Sequence, residues 1–271
     1  MIQLLDTLTD GKLREGEYRK DGLIYCGTCH TSRQHLLELS DRKIPVRCLC
    51  RCQTEKRDKE EAEARQREFL DRVSANRSVG LTEPALRQFT FANDKGYNPE
   101  MRVAQKYVEN FEQMEREASG LLIWGGVGTG KTYIAACIAN ALLDQGVTVM
   151  MTNFSRVFSD LPGMFSGDRN RYLDSFNRFR LLIIDDFGAE CSSEFALEQV
   201  FNIIEGRTRA RKPLIVTTNL PLPELKNPDS LAKARIYDRL LERCVPVRVH
   251  NRNLRQENAR EHLQSMKKLL G

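Results

Sequence analysis

Gly125, Gly126, Val127, Gly128, Thr129, Gly130, Lys131 and Thr132 follow the spacing G-x-x-x-x-G-K-[ST], and the residue types explain one another. The glycines let successive backbone N–H groups turn inward around phosphate oxygens. The lysine is placed to reach the β- and γ-phosphates, and the threonine hydroxyl to bind Mg²⁺. The flanks supply the context that this chemistry needs. Leu121, Leu122, Ile123 and Trp124 read as a buried parallel strand, and Tyr133 to Leu143 as an Ala-rich helix whose amino-terminal dipole favours an anion. The expected ligand is a nucleoside triphosphate.

Two further apolar runs end in polar residues. Leu181 to Ile184 lead into Asp185 and Asp186. Adjacent carboxylates after a buried run are costly unless a cation or water needs them. Asp185 is expected to hold Mg²⁺ and Asp186 to polarise an attacking water, with capping of the turn at Phe187 and Gly188 as the bland alternative. Pro213 to Val216 lead into Thr217, Thr218 and Asn219. Parallel strands carry their working residues at their carboxyl ends, so the Asn219 amide is read as a sensor of the γ-phosphate.

A different chemistry stands near the amino terminus. Cys26, Cys29, Cys48, Cys50 and Cys52 are five of the chain's eight cysteines. The Cys26–Cys29 pair has knuckle spacing, and four sulfurs complete a tetrahedral Zn²⁺ site. Which four of the five ligate is left open, with His30 and His35 read as surface residues. No apolar leader precedes the cluster and no stretch of 18 or more apolar residues is present, so a cytoplasmic protein with reduced thiols is expected. Cys137, Cys191 and Cys244 are read as inert thiols.

As a set, the phosphate loop, the Asp185–Asp186 strand, the Thr217–Asn219 end, the run Asp186 to Glu190 and the segment Arg235 to Glu242 resemble the bacterial DnaC/DnaI-type helicase loaders. These are AAA+ ATPases related to IstB transposition helpers and to DnaA. The resemblance covers roughly residues 85–260. It implies an α/β ASCE P-loop fold, a parallel sheet flanked by helices, with ATP bound between self-associating subunits. It implies that Arg239 acts as a finger in a neighbour's site, although Arg235 and Arg243 share its helical face. It also implies that Arg255 contacts phosphates from within its own subunit. The implied partners are a hexameric replicative helicase and single-stranded DNA. An IstB-like helper acting on double-stranded DNA is the alternative, and a small-molecule kinase or a non-hydrolysing adaptor are readings from other classes.

The elements that must position these residues divide into three stretches. Residues 1–52 are expected to form a zinc-binding, helicase-interacting domain, 53–80 a charged helical linker and 81–271 the ATPase domain. Gln53 to Val73 is rich in helix formers but polar all round until Phe69, so it cannot bury one face. Asn76 to Pro84 is expected to loosen. Arg87 to Phe91 resembles the entry to the ATPase domain, its aromatic rings read equally as neighbours of the adenine or as ordinary core, and Met101 to Arg116 is expected to form one amphipathic helix. The net charge of +5 is too mild to prove nucleic-acid binding. Arg169 to Arg180 interleaves cations with Tyr172, Phe176 and Phe179, a pattern that suits stacked bases or an ordinary surface helix equally.

Overall fold

The structure is a computed structural model that describes residues 11–39, 42–188 and 193–270. Ala189, Glu190 and Cys191, which the sequence analysis singled out, lie outside the described residues. The chain divides into two compact units, Met1–Leu70 and Asp71–Gly271.

The first unit is built from two antiparallel ribbons. β1 (Glu17–Lys20) pairs with β2 (Leu23–Cys26), and Asp21 and Gly22 between them both have positive φ, 49° and 77°. That is the backbone of a two-residue type I′ turn, which matches strand twist and favours Asp-Gly. β3 (Gln34–Leu39) pairs with β4 (Arg42–Arg47). The chain leaves β4 through Cys48 and enters a helix, Arg51–Gly80.

That helix is exposed over most of its length, as a helix without an apolar stripe must be. It does not loosen at Asn76 but continues to Gly80. Tertiary packing overrides the weak local signal here. Val73, Gly80 and Leu81 are buried, and Arg77 pairs with Asp144 at 2.5 Å. Gly80 lies so close to the Val149 carbonyl that a Cβ would sit 1.9 Å from its oxygen.

The second unit holds a five-stranded sheet made of β5 (Gly120–Trp124), β6 (Val149–Asn153), β7 (Leu181–Phe187), β8 (Leu214–Thr218) and β9 (Cys244–Arg248). All its pairings are parallel, in the order β6-β7-β8-β5-β9. Strands buried on both faces need continuous apolar runs, and the faces separate with period two. Leu121, Ile123, Leu181, Ile183 and Ile215 pack toward the helices Lys131–Asp144 and Met101–Glu109. Leu122, Leu182, Ile184, Leu214 and Val216 pack toward Glu194–Arg209 and Leu231–Arg243. Met101–Arg116 is two helices rather than one, interrupted at Asn110, whose side-chain amide donates to the Lys106 carbonyl at 2.8 Å. Because β8 lies between β5 and β7, Asn219, the phosphate loop and Asp185 emerge side by side at one sheet edge.

Candidate functional site

Two crowded glycines shape the loop. Gly128 and Gly130 have φ of 76° and 101°, a left-handed region costly for other residues. A Cβ on Gly128 would overlap the Asn253 amide, and one on Gly130 would lie 2.5 Å from the Asn98 amide. The helix Lys131–Asp144 starts directly after them. Lys131 Nζ donates to the carbonyls of Gly125 at 3.0 Å and Gly126 at 2.8 Å, and to Asn219 Oδ1 at 2.7 Å. Burial depresses the Lys131 pKa, and Asp186 and Asp185 work against that depression.

Asp185 is held by two hydroxyls. Thr132 Oγ1 lies 3.1 Å from both of its carboxylate oxygens, and Thr217 Oγ1 donates to Oδ1 at 2.5 Å. Burial raises its pKa despite these bonds, so the carboxylate is short of compensating charge. A hydroxyl and a carboxylate are hard oxygen donors of the kind Mg²⁺ prefers, and the pair fits that ion. Asp186 sits at an irregularity in the β7–β8 ladder, between Ile184 and Phe187, with φ of 56°. The left-handed residue turns its carboxylate away from the strand alternation. Its N–H donates to Thr217 Oγ1 at 2.9 Å, and its Oδ1 accepts from Asn219 Nδ2 at 2.9 Å. Thr217 thus fixes both acids, a role its sequence position did not reveal.

A cavity of about 500 Å³ runs from these acids along the loop to Phe89 and Tyr133, whose rings are 5.0 Å apart. Tyr133 donates to the Thr90 carbonyl at 3.0 Å, and Asn140 to those of Leu86 and Phe89 at 2.8 and 2.9 Å. The Arg87–Phe91 segment is therefore tied to the loop's helix. Phe89 lines the cavity, while Phe91 packs against the core. Arg255 also lines the cavity, and the preceding Leu254 N–H donates to the Gly128 carbonyl at 3.0 Å. Arg235, Arg239 and Arg243 do not line it. Arg239 pairs with Glu205 at 3.0 Å and Glu242 at 2.9 Å. Arg235 lies over the Phe201 ring, and Arg243 pairs with Glu242 at 3.6 Å.

Four of the five clustered cysteines converge. The sulfurs of Cys26, Cys29, Cys50 and Cys52 all lie within 4.8 Å of one another, with Cys26 to Cys52 at 3.7 Å and Cys50 to Cys52 at 3.3 Å. Bonds of about 2.3 Å to one tetrahedral ion put sulfurs about 3.8 Å apart, so the donor set fits a thiophilic metal. Cys48 stands outside, its thiol directed at the Ser32 carbonyl. The working spacing is Cys-x-Cys at Cys50 and Cys52, which the sequence left unresolved. His30 meets Tyr18 instead of the cluster, and His35 is exposed.

The arginine-rich stretch forms the helix Ser166–Ser175 and a following turn. Its aromatic residues pack inward: Phe176 is buried, the Tyr172 ring stands against it at 5.3 Å, and Tyr172 donates to Asp160. Cys137 and Cys244 are buried.

The loop, the paired acids and an intervening strand that ends in asparagine define a P-loop ATPase fold of the AAA+ type. A profile of the IstB-like ATP binding proteins matches residues 59–262, and the chain belongs to that family. It is 26% identical over 149 residues to a replicative helicase loader DnaC from Buchnera aphidicola subsp. Schizaphis graminum, covering 54% of this chain and 58% of the relative. It is also 26% identical over 140 residues to the DnaC of Escherichia coli K12, covering 51% and 55%. The chain thus spans just over half the length of these curated relatives. A crystal structure of DnaI superposes with a TM-score of 0.55 at 23% identity, over 65% of this chain and 95% of that one. DnaA bound to AMPPCP and single-stranded DNA superposes with a TM-score of 0.51 at 19% identity, over 64% and 52%. These two likenesses concern the fold.

Proposed function

We propose that this protein is a cytoplasmic ATPase that loads a hexameric replicative helicase onto single-stranded DNA. The observation that carries the hydrolytic part is the hydrogen-bonded row Lys131, Asn219, Asp186 at the carboxyl end of the sheet. Residues 125–132 bind the triphosphate, and Phe89 and Tyr133 lie where the base would stack. Thr132 and Asp185 hold Mg²⁺, which when bound would neutralise charge on the phosphates. Asp186 orients the attacking water, with Asn219 holding its carboxylate. Arg255 contacts phosphates from its own subunit, and Arg239 completes the site of the next, so that hydrolysis depends on self-association.

The loading part is supported by the relatives called helicase loaders and by the cysteine unit that accompanies the ATPase. Residues 1–52 grip the helicase around a Zn²⁺ ion bound by Cys26, Cys29, Cys50 and Cys52, residues 53–80 link, and residues 81–271 switch with ATP. A second reading, an IstB-like transposition helper acting on duplex DNA, is compatible with the same match to the IstB-like ATP binding proteins. ATP hydrolysis measured with single-stranded DNA, duplex DNA and a hexameric helicase in turn separates the two. Stimulation by single strands and helicase supports the loader; stimulation by duplex alone overturns it.

A further inference from the structure

The cysteine cluster poses a charge problem, since four thiolates around one divalent ion carry a net charge of about −2. A buried cation stands beside it. The Arg33 side chain is 9% exposed, and its Nη1 donates to Cys50 Sγ at 3.6 Å, a normal length for a bond to sulfur. Its Nε lies 3.1 Å from Glu17 Oε1, and the Glu17 side chain is 6% exposed. Glu17 in turn accepts from Arg47 Nη1 at 3.0 and 3.2 Å and from the Arg14 N–H at 2.9 Å. The guanidinium therefore sits between Cys50 and a carboxylate that is itself fixed.

The Arg33 backbone is fixed too. Its N–H donates to the Ile24 carbonyl at 2.7 Å, and its carbonyl accepts from the Cys48 N–H at 2.8 Å. One residue thus reaches Cys50 with its side chain and pins the Cys48 backbone, while the neighbouring Ser32 carbonyl takes the Cys48 thiol. That arrangement explains why Cys50, and not Cys48, joins the cluster.

We infer that Arg33 is the positioning cation of the metal centre: it orients the Cys50 sulfur into the coordinating set and holds Cys48 out of it. The inference rests on the zinc reading given above. An outer-shell partner of this kind is worth about 10- to 100-fold in metal affinity. A guanidinium fork donates along fixed directions, whereas lysine supplies a point charge.

The test is Zn²⁺ affinity of the full chain against a chromophoric chelator, with the thiolate-to-metal absorption of the Co²⁺ form as a second readout. Arg33→Met is expected to bind Zn²⁺ about 10- to 100-fold more weakly and to shift the Co²⁺ charge-transfer band. Arg33→Lys, which keeps the buried charge and guards against a folding defect, should fall between Arg33→Met and the unaltered chain. Cys48→Ser should match the unaltered chain in both readouts. Unaltered affinity and spectrum in both Arg33 variants would overturn the role of Arg33, as would metal loss in Cys48→Ser with retention in Cys50→Ser. An unaltered chain that takes up neither Zn²⁺ nor Co²⁺ would instead overturn the metal reading itself, and the inference with it.

Discussion

Lys131 and Asp186 are joined through a single amide: Asn219 Oδ1 accepts from Lys131 Nζ at 2.7 Å, while Asn219 Nδ2 donates to Asp186 Oδ1 at 2.9 Å. An ammonium only donates and a carboxylate only accepts, so the two neighbours dictate the orientation of the amide. The residue proposed to meet the γ-phosphate is thereby linked to the residue proposed to orient water. Replacing Asn219 with Ala leaves both groups without a common partner. Single-turnover phosphate release is expected to fall by about 100-fold, while nucleotide affinity in titration calorimetry changes by less than about tenfold. An unchanged rate would remove Asn219 from the hydrolytic site.

The strand ends were legible because burial on both faces writes continuous apolar runs, and a run that gives way to Asp185 or to Thr217–Asn219 marks a polar strand end. The phosphate loop was legible from glycine spacing. Asn98 and Asn253, which close on Gly130 and Gly128, were not, since neither sits at a patterned position and both arrive from distant chain segments. The cysteine cluster was visible but not its membership. Choosing Cys50 over Cys48 depends on Arg33 and Ser32 across the ribbon, which no spacing rule contains. The helix end at Gly80 was missed because its packing against Val149 outweighs a local breaker.

Metal removal should act on one unit alone. A small cysteine-bound module draws much of its folding free energy from the ion. Chelation is expected to abolish amide-exchange protection around Cys26–Cys29 and Cys48–Cys52 and to leave the five-stranded sheet protected. Exchange unchanged in both, with the metal demonstrably gone, would show that the ion is not structural.

Burial pushes the thiols of Cys137 and Cys244 up to about 12. Above the unfolded value near 8.5, the unfolded chain loses these protons before the folded one does, so stability falls as pH rises. The loss reaches about 1.4 kcal/mol per pH unit for each thiol until the folded pKa is passed. Urea midpoints from pH 7 to 10 should therefore decline less steeply in Cys137→Ala than in the unaltered chain. Identical slopes would contradict the assignment.

Arg239 is held by Glu205 and Glu242, outside its own subunit's cavity. Arg239→Ala is expected to spare nucleotide affinity and abolish hydrolysis in the assembly, whereas Lys131→Ala weakens binding about ten- to a hundredfold. Mixing the two restores interfaces that pair an intact loop with an intact finger. Partial recovery of hydrolysis is expected. Mixtures that stay inactive at every ratio would rule out action between subunits.

The most direct measurement of the loader account uses a closed circle of single-stranded DNA, which a helicase hexamer cannot enter over an end. The hexamer, the circle, ATP and this protein are combined, and helicase retained on the circle after a salt wash is counted. The account predicts retention that needs both this protein and ATP and that is lost with Lys131→Ala. Retention equal without the protein, or equal with Lys131→Ala, would contradict it.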